Sequence, residues 1–215
     1  LDPLRMGSLC FRGVGMLLAE DRKALLTTVG YETWDEQDDI LNHKARIKLV
    51  AGGERAGKSF LGALSIINRL DEFESGDICW LVARDYERTR AEWNYLSEIL
   101  TKLGFLIKQT KRIDPGEMTV ACGTSEKPGV FTIKTKSAQD HRSLAMEAPR
   151  MVVACESSQI DYESFLRLRH WGGIRRNGRL GSSITPTMTL FLSHCRLGPT
   201  KLSTRREEMT KKSCH

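Results

Sequence analysis

Short apolar runs and longer helical patterns alternate along the middle of the chain. Three runs are apolar throughout and rich in β-branched residues, as are strands buried on both faces; they cover residues 47–51, 78–83 and 151–155. Behind the first two runs, apolar residues recur every three or four positions, which predicts helices over residues 57–70 and 86–103. The order of these elements predicts an α/β fold with a mostly parallel sheet and helices on both faces.

The rest of the pattern is weaker. Further helices are predicted over residues 15–26, 34–41 and 162–169. Further strands are predicted over residues 105–107, 118–122 and 130–134, separated by turns that contain Pro and Gly. Residues 1–30 are otherwise weakly patterned, and from residue 190 onward the chain is basic with no buried-strand pattern.

A glycine-rich loop lies between the first predicted strand and its helix, and it fits the phosphate-binding pattern G-x-x-x-x-G-K-[ST]. The loop consists of Gly52, Gly53, Glu54, Arg55, Ala56, Gly57, Lys58 and Ser59. Glycines let several backbone N–H groups converge on one oxyanion, and the helix that follows adds its positive N-terminal end. We expect Lys58 to reach the β- and γ-phosphates of ATP and the Ser59 hydroxyl to bind Mg²⁺. A glycine-rich turn with an incidental Lys-Ser pair is the alternative, and it does not require a strand before the loop and a helix after it.

A second candidate motif follows the run at residues 151–155. Glu156 occupies the position from which a glutamate of a P-loop ATPase orients or deprotonates the attacking water. The residue before it is expected to be an aspartate that helps to hold Mg²⁺, but here it is Cys155. An ordinary acid at a helix N-terminus would have the same sequence context.

Two further features have both a functional and a structural interpretation. Residues 182–186 read Ser-Ser-Ile-Thr-Pro, and in motor ATPases a small polar turn at the end of the next strand senses γ-phosphate. A simple Ser/Thr turn is the alternative. Trp34 and Gln37 precede the P-loop by one helix and one strand, where an aromatic ring packs on a base and an amide reads an adenine edge. A surface Gln beside a core Trp is the alternative for this pair.

The chain has 215 residues and a net charge of +6, with an isoelectric point of about 9.1. This charge suits an acidic partner such as nucleic acid. Residues 167–179 contain five arginines and no acid, and we expect Arg175 and Arg176 to contact DNA phosphates or the nucleotide of a neighbouring subunit. A solvated basic surface is the alternative.

Cysteine spacing and hydropathy exclude several other classes of protein. The six cysteines form no C-x-x-C pair, which argues against a metal centre and a disulfide framework and fits a reducing cytosol. No apolar run reaches the length of about 18 residues expected of a membrane-spanning helix, and no signal peptide is evident. We therefore expect no membrane partner.

The ordered set of motifs resembles the ATPase domain of the large terminase subunit of tailed bacteriophages, over about residues 30–187. The matching stretches are Trp34-x-x-Gln37, the P-loop, and residues 80–86, 135–140 and 152–160. Ser-Ile-Thr-Pro at residues 183–186 is similar to the family's Ser-Gly-Thr-Pro coupling motif, with Ile184 in place of Gly.

The resemblance implies a DNA-packaging motor that uses ATP and Mg²⁺ to drive double-stranded DNA through a portal into a procapsid. Gln37 matches the adenine reader, Glu156 the catalytic glutamate and Thr185 the coupling residue. Arg55 matches an arginine that stabilises the transition state, although a salt bridge that holds the loop is an alternative role for it. The implied partners are DNA, the portal protein, the small terminase subunit and further copies in a ring. The implied location is the host cytoplasm, with transient binding to the procapsid and absence from the mature virion.

We expect three parts in the chain: a weakly patterned segment (1–30), a P-loop ATPase domain (31–188) and a basic irregular tail (189–215). Family members carry a C-terminal nuclease domain with an acidic cluster, and the tail offers no such pattern, so we expect no nuclease activity. Two alternatives to a packaging motor remain. One is another P-loop DNA motor, such as a helicase. The other is a truncated, non-catalytic remnant that binds DNA or portal protein, which Cys155, Ile184 and the tail favour.

Overall fold

Seven strands form one mixed sheet in the computed structural model, which describes residues 19–123, 128–140, 143–171 and 187–193. The strands are β1 (Ile47–Gly52), β2 (Ile78–Ala83), β3 (Leu106–Gln109), β4 (Glu117–Gly123), β5 (Pro128–Ser137), β6 (Met151–Ala154) and β7 (Thr187–Ser193). The helices are α1 (Ala19–Thr28), α2 (Asp35–Asn42), α3 (Lys58–Ile67), α4 (Arg90–Lys102) and α5 (Tyr162–Trp171). Short 3-10 turns precede α4 and α5 and occupy Tyr86–Thr89 and Ser157–Gln159.

The strand order places the candidate motifs along one edge of the sheet. The order is β1-β7-β6-β2-β5-β4-β3, in which the first five strands are mutually parallel and the last two antiparallel. The carboxyl ends of the parallel strands therefore meet at the same edge, where ligands bind in open α/β sheets. The loop after β1 and the residue after β6 both lie there.

Alternating residues of each central strand pack into two separate cores. On β2, Cys79 and Leu81 face a core with α1, α2, α3 and α4, whereas Trp80 and Val82 face a smaller core with α5. A strand with apolar residues on both faces needs cover on both sides, which explains the unbroken apolar run. The predicted α/β fold, with a mostly parallel sheet and helices on both faces, is confirmed.

The expectation that residues from 190 onward contain no buried strand is wrong for residues 190–193. Strand β7 continues to Ser193 between β1 and β6, and its residues Leu190 and Phe191 are buried. The apolar run is short and flanked by polar residues, so pairing on both sides makes it a strand where its own pattern is too brief. The division of the chain into three parts remains a prediction.

Strand β7 also changes the expected place of the Ser/Thr turn. The strand begins at Thr187, directly after residues 182–186, so it follows the turn instead of leading into it. The carboxyl end of β7, Ser193, pairs with Gly52 at the P-loop. The turn itself, with Thr185, lies outside the described residues.

In the part of the chain that the structure describes, no helix is long and apolar enough to cross a membrane.

Candidate nucleotide-binding site

The loop between β1 and α3 has the backbone conformation of a phosphate-binding loop. Arg55 and Gly57 both take positive φ, at 61° and 71°, and Gly57 is the N-cap of α3. The Lys58 ammonium donates hydrogen bonds to the carbonyl oxygens of Gly52, at 3.0 Å, and of Gly53. The curled loop thus presents a lysine and a helix N-terminus at the same point, which is a site for a phosphate group.

Gln37 of α2 lies against this loop. Its side chain is 6% exposed, and a Cβ added at Gly57 would lie 2.8 Å from its amide nitrogen. The Gln37 Oε1 accepts a hydrogen bond from the Trp34 backbone N–H at 3.2 Å, whereas the Trp34 ring is 61% exposed. The structure therefore brings Gln37 to the P-loop, with a buried amide and an exposed indole, the reverse of a surface Gln beside a core Trp.

Glu156 begins the turn after β6 with a left-handed backbone, φ 46° and ψ 46°. Its Oε2 accepts hydrogen bonds from Arg88 Nη1 at 2.5 Å and from Gln159 Nε2 at 3.0 Å. Arg88 also pairs with Asp85 at 3.1 Å, and its pKa is raised, first by its hydrogen bond to Glu156 and then by that to Asp85. The candidate catalytic carboxylate is thus held by side chains that follow β2 and β6.

Cys155 is fully buried at the end of β6. Its backbone N–H donates to the Val82 carbonyl at 2.7 Å, which continues the pairing of β6 with β2. Burial raises the pKa of the thiol well above its ordinary value, so position 155 presents a neutral group. The aspartate that the sequence analysis missed here is not replaced by a thiolate.

Glu92 of α4 is a buried acid at the site that the sequence analysis did not identify. Its side chain is 3% exposed, and the Ser59 hydroxyl and Cys155 thiol both act on its carboxyl as hydrogen-bond donors. Burial raises the pKa of Glu92, and these two donors lower it by less. The signal in the sequence was an acid on the apolar face of a helix, because Glu92 shares that face with Leu96.

These side chains fit a magnesium ion bound together with nucleotide phosphates. Mg²⁺ takes oxygen ligands, keeps several waters and needs only one or two protein groups beside the phosphates. The Ser59 hydroxyl, with the Glu92 carboxyl bonded to it, supplies such groups. The described residues hold no cluster of three or more His, Cys, Asp or Glu side chains suited to a metal.

The remaining predicted site residues divide into two groups. Glu54, Arg55 and Ala56 are exposed in the P-loop, and none of the ion pairs among the described residues involves Arg55. Arg175 and Arg176, like Thr185, lie outside the described residues.

Solved structures of phage terminases are similar to this chain. A mutant of the large terminase ATPase domain of Thermus phage P74-26 matches with a TM-score of 0.62 and 15% identity, over 83% of this chain and 70% of its own. The HK97 bacteriophage large terminase matches with a TM-score of 0.54 and 12% identity, over 83% of this chain and 38% of its own. A large terminase of a thermophilic bacteriophage in complex with ADP also has a TM-score of 0.54 and 12% identity, over 74% and 38%.

No family model and no curated protein matches the chain. The similarity to solved structures concerns the fold, since identities of 11–15% are too low to carry residue roles. At that level it agrees with the strand order and with the P-loop between β1 and α3. The chain has the P-loop NTPase fold of phage large terminase ATPase domains, as its motifs predict.

Proposed function

We propose that this chain binds ATP at the P-loop and hydrolyses it as the motor domain of a phage DNA-packaging terminase. The observation that carries the proposal is the meeting of the P-loop and Glu156 at the carboxyl edge of one parallel sheet. The terminase fold supports it further, as does the nucleotide in one structure of similar fold, which is a complex with ADP.

The residues would divide the chemistry among them. The P-loop N–H groups and Lys58 would bind the β- and γ-phosphates, and Gln37 would contact the base from α2. Glu156 would orient and deprotonate the attacking water, because a carboxylate held by Arg88 and Gln159 has a fixed direction. Arg55 would stabilise charge on the γ-phosphate, since it lies exposed in the loop. Mg²⁺, when bound, would neutralise phosphate charge.

The wider function rests on residues and partners that belong to the same proposal. Arg175 and Arg176 would contact the phosphates of double-stranded DNA, and Thr185 would couple hydrolysis to movement. The motor would act as a ring of identical subunits on the portal, recruited with the small terminase subunit. It would work in the host cytoplasm, bound transiently to the procapsid.

Nucleotide binding and turnover by purified variants test the proposal. In Lys58→Ala, affinity for a fluorescent ATP analogue should fall about tenfold or more, because a charge-assisted contact is lost. In Glu156→Gln, binding should persist while phosphate release slows by about 10²–10⁴-fold. Glu163→Gln is the matched control, since Glu163 is an exposed acid on α5 that pairs with Arg167.

Three outcomes separate this function from its alternatives. Hydrolysis stimulated by DNA and by procapsids supports the packaging motor. Hydrolysis stimulated by DNA but indifferent to procapsids supports a helicase-like motor. A parent chain that binds no nucleotide is the non-catalytic remnant, and the proposal then fails.

A further inference from the structure

Glu92 is a buried acid without a positively charged partner. None of the ion pairs among the described residues includes it, and its Oε2 has no hydrogen-bond partner in that part of the chain. The groups that do act on the carboxyl, Ser59 and Cys155, are neutral donors. A buried carboxylate is costly unless it is paired or bound to a metal, so its presence here needs an explanation.

The fold makes room for this side chain. A Cβ added at Gly62 of α3 would lie 3.2 Å from Glu92 Cγ, which is tighter than most contacts of that kind. The same added Cβ would lie 3.5 Å from Phe191 and 3.6 Å from Val153. The stem of Glu92 therefore crosses α3 where glycine leaves the helix backbone open, between α3 and strands β6 and β7. Its carboxyl is directed from there to the P-loop serine.

We propose that Glu92 supplies the acidic group that Cys155 lacks and holds Ser59 and the water shell of the nucleotide-bound Mg²⁺. Glu92 is a positioning residue in this role, since it acts through the Ser59 hydroxyl. One carboxyl interacts with both Ser59 and Cys155, so it lies between them, within reach of the place that an acid at position 155 would occupy. The inference deepens the proposed function and rests on it, because the cation enters with the nucleotide.

A purely structural role for Glu92 makes a different prediction. A core acid that only satisfies the Ser59 and Cys155 donors would stabilise the fold equally with and without metal. An acid that holds the cation affects nucleotide binding when Mg²⁺ is present and leaves metal-free binding unchanged. The free oxygen Oε2 favours the second role, because a core acid fixed by its neighbours would use both oxygens.

The test measures ADP affinity of the full chain by calorimetry, in Mg²⁺ and in EDTA. Glu92→Gln should reduce the gain in affinity from Mg²⁺ by about tenfold or more, as loss of an outer-shell partner of a metal does, and leave the affinity in EDTA unchanged. Binding of Mn²⁺ with ADP, followed by electron paramagnetic resonance, should weaken in parallel. Glu98→Gln is the control on the same helix, since Glu98 is exposed and pairs with Lys102; it should match the parent chain.

A second substitution keeps the experiment decisive. Glu92→Gln combined with Cys155→Asp returns one carboxyl to the cluster, and we expect it to restore the Mg²⁺ gain. If Glu92→Gln does not fold, Glu92→Asp retains the charge but withdraws it by one methylene, and it should fold with a reduced Mg²⁺ gain. An undiminished gain in the folded variants overturns the role of Glu92 alone. A parent chain that binds no ADP in either buffer overturns the proposed function, and the role of Glu92 with it.

Discussion

Two residues other than glycine have positive φ among the described residues, and both belong to the candidate site. Arg55 has φ 61° in the P-loop, and Glu156 has φ 46° after β6. A left-handed backbone costs an L-residue with a Cβ about 1–2 kcal/mol. Strain of this kind concentrates at functional sites, where neighbouring contacts hold it in place. At Glu156 the contacts are those with Arg88 and Gln159.

The strain at Glu156 predicts an unusual order of stability for two substitutions. Glu156→Gly and Glu156→Ala both remove the carboxylate, but only glycine adopts the left-handed backbone without a Cβ penalty. After the loss of entropy that glycine brings, we expect the Gly variant to be more stable by roughly 0.5–1 kcal/mol. Urea denaturation measures the difference.

The same pair of substitutions at Glu163 is the control. Glu163 lies inside α5, where glycine is less stable than alanine by about 1 kcal/mol, so the order should reverse. An Ala variant at position 156 as stable as the Gly variant would mean that the left-handed backbone stores no strain.

At the scale of elements, the stretch at residues 135–140 joins β5 to its neighbours. Thr135 is buried on β5, and its hydroxyl accepts from the Gly116 N–H and donates to the Ile113 carbonyl, both at 2.6 Å. Ser137 donates to the Arg84 carbonyl at 2.9 Å, just after β2. Part of the terminase-like spelling of this stretch thus has a structural explanation, because its hydroxyls satisfy backbone groups of two loops.

Thr135→Val tests this explanation. Valine has the same shape but leaves the Gly116 N–H and the Ile113 carbonyl without the hydroxyl, so we expect a loss of about 2 kcal/mol in the free energy of unfolding. Thr132→Val on the same strand is the matched control, since the Thr132 side chain makes no hydrogen bond among the described residues and lies at a half-buried position. A loss of the same size at both positions would assign the effect to the strand and not to the Thr135 hydrogen bonds.

Local sequence was sufficient for the central elements and insufficient for the sheet margins. The runs in β1, β2 and β6 are apolar on both faces and short, which leaves few alternatives to a buried strand. The run in β7 is flanked by polar and basic residues, and its pairing with β1 and β6 comes from distant sequence. Strand β5 likewise extends beyond the predicted residues to Ser137, because β2 and β4 pair along it.

The candidate site divides in the same way. The P-loop and Glu156 are each spelled within a few residues, so the sequence predicts them and the parallel sheet brings them together. Glu92 becomes part of the site only because α4 packs on α3 over Gly62. No pattern within α4 states which helix its acid will face, so this contact needs the three-dimensional structure.

At the scale of the whole molecule, charged pairs join the sheet to the segment that leads into β6. The Glu147 carboxylate contacts Lys134 at 2.5 Å and Lys136 at 3.4 Å, and both lysines lie on β5. Arg150 contacts Asp77 at 2.8 Å, at the start of β2. Each of these side chains is less than a third exposed, so solvent screens the pairs less than it screens pairs at the open surface.

Glu147 therefore gives the stability of the fold a pH dependence of known sign. Burial raises the pKa of Glu147, but the hydrogen bond from Lys134 and the charges of Lys136 and Lys134 outweigh it, so the pKa in the folded state is lowered from its ordinary value. A group with a lowered folded pKa contributes stability above its unfolded pKa, about 4.3 for glutamate, and loses it as pH falls through the folded pKa. The free energy of unfolding should thus be lower in Glu147→Gln than in the parent at pH 7, and the difference should shrink below about pH 4.3. Urea denaturation between pH 7 and pH 3.5 measures it, with Glu117→Gln on the exposed side of β4 as the control. A difference that stays constant or grows on acidification would assign the contribution of Glu147 to packing and not to its ionised pair with the β5 lysines.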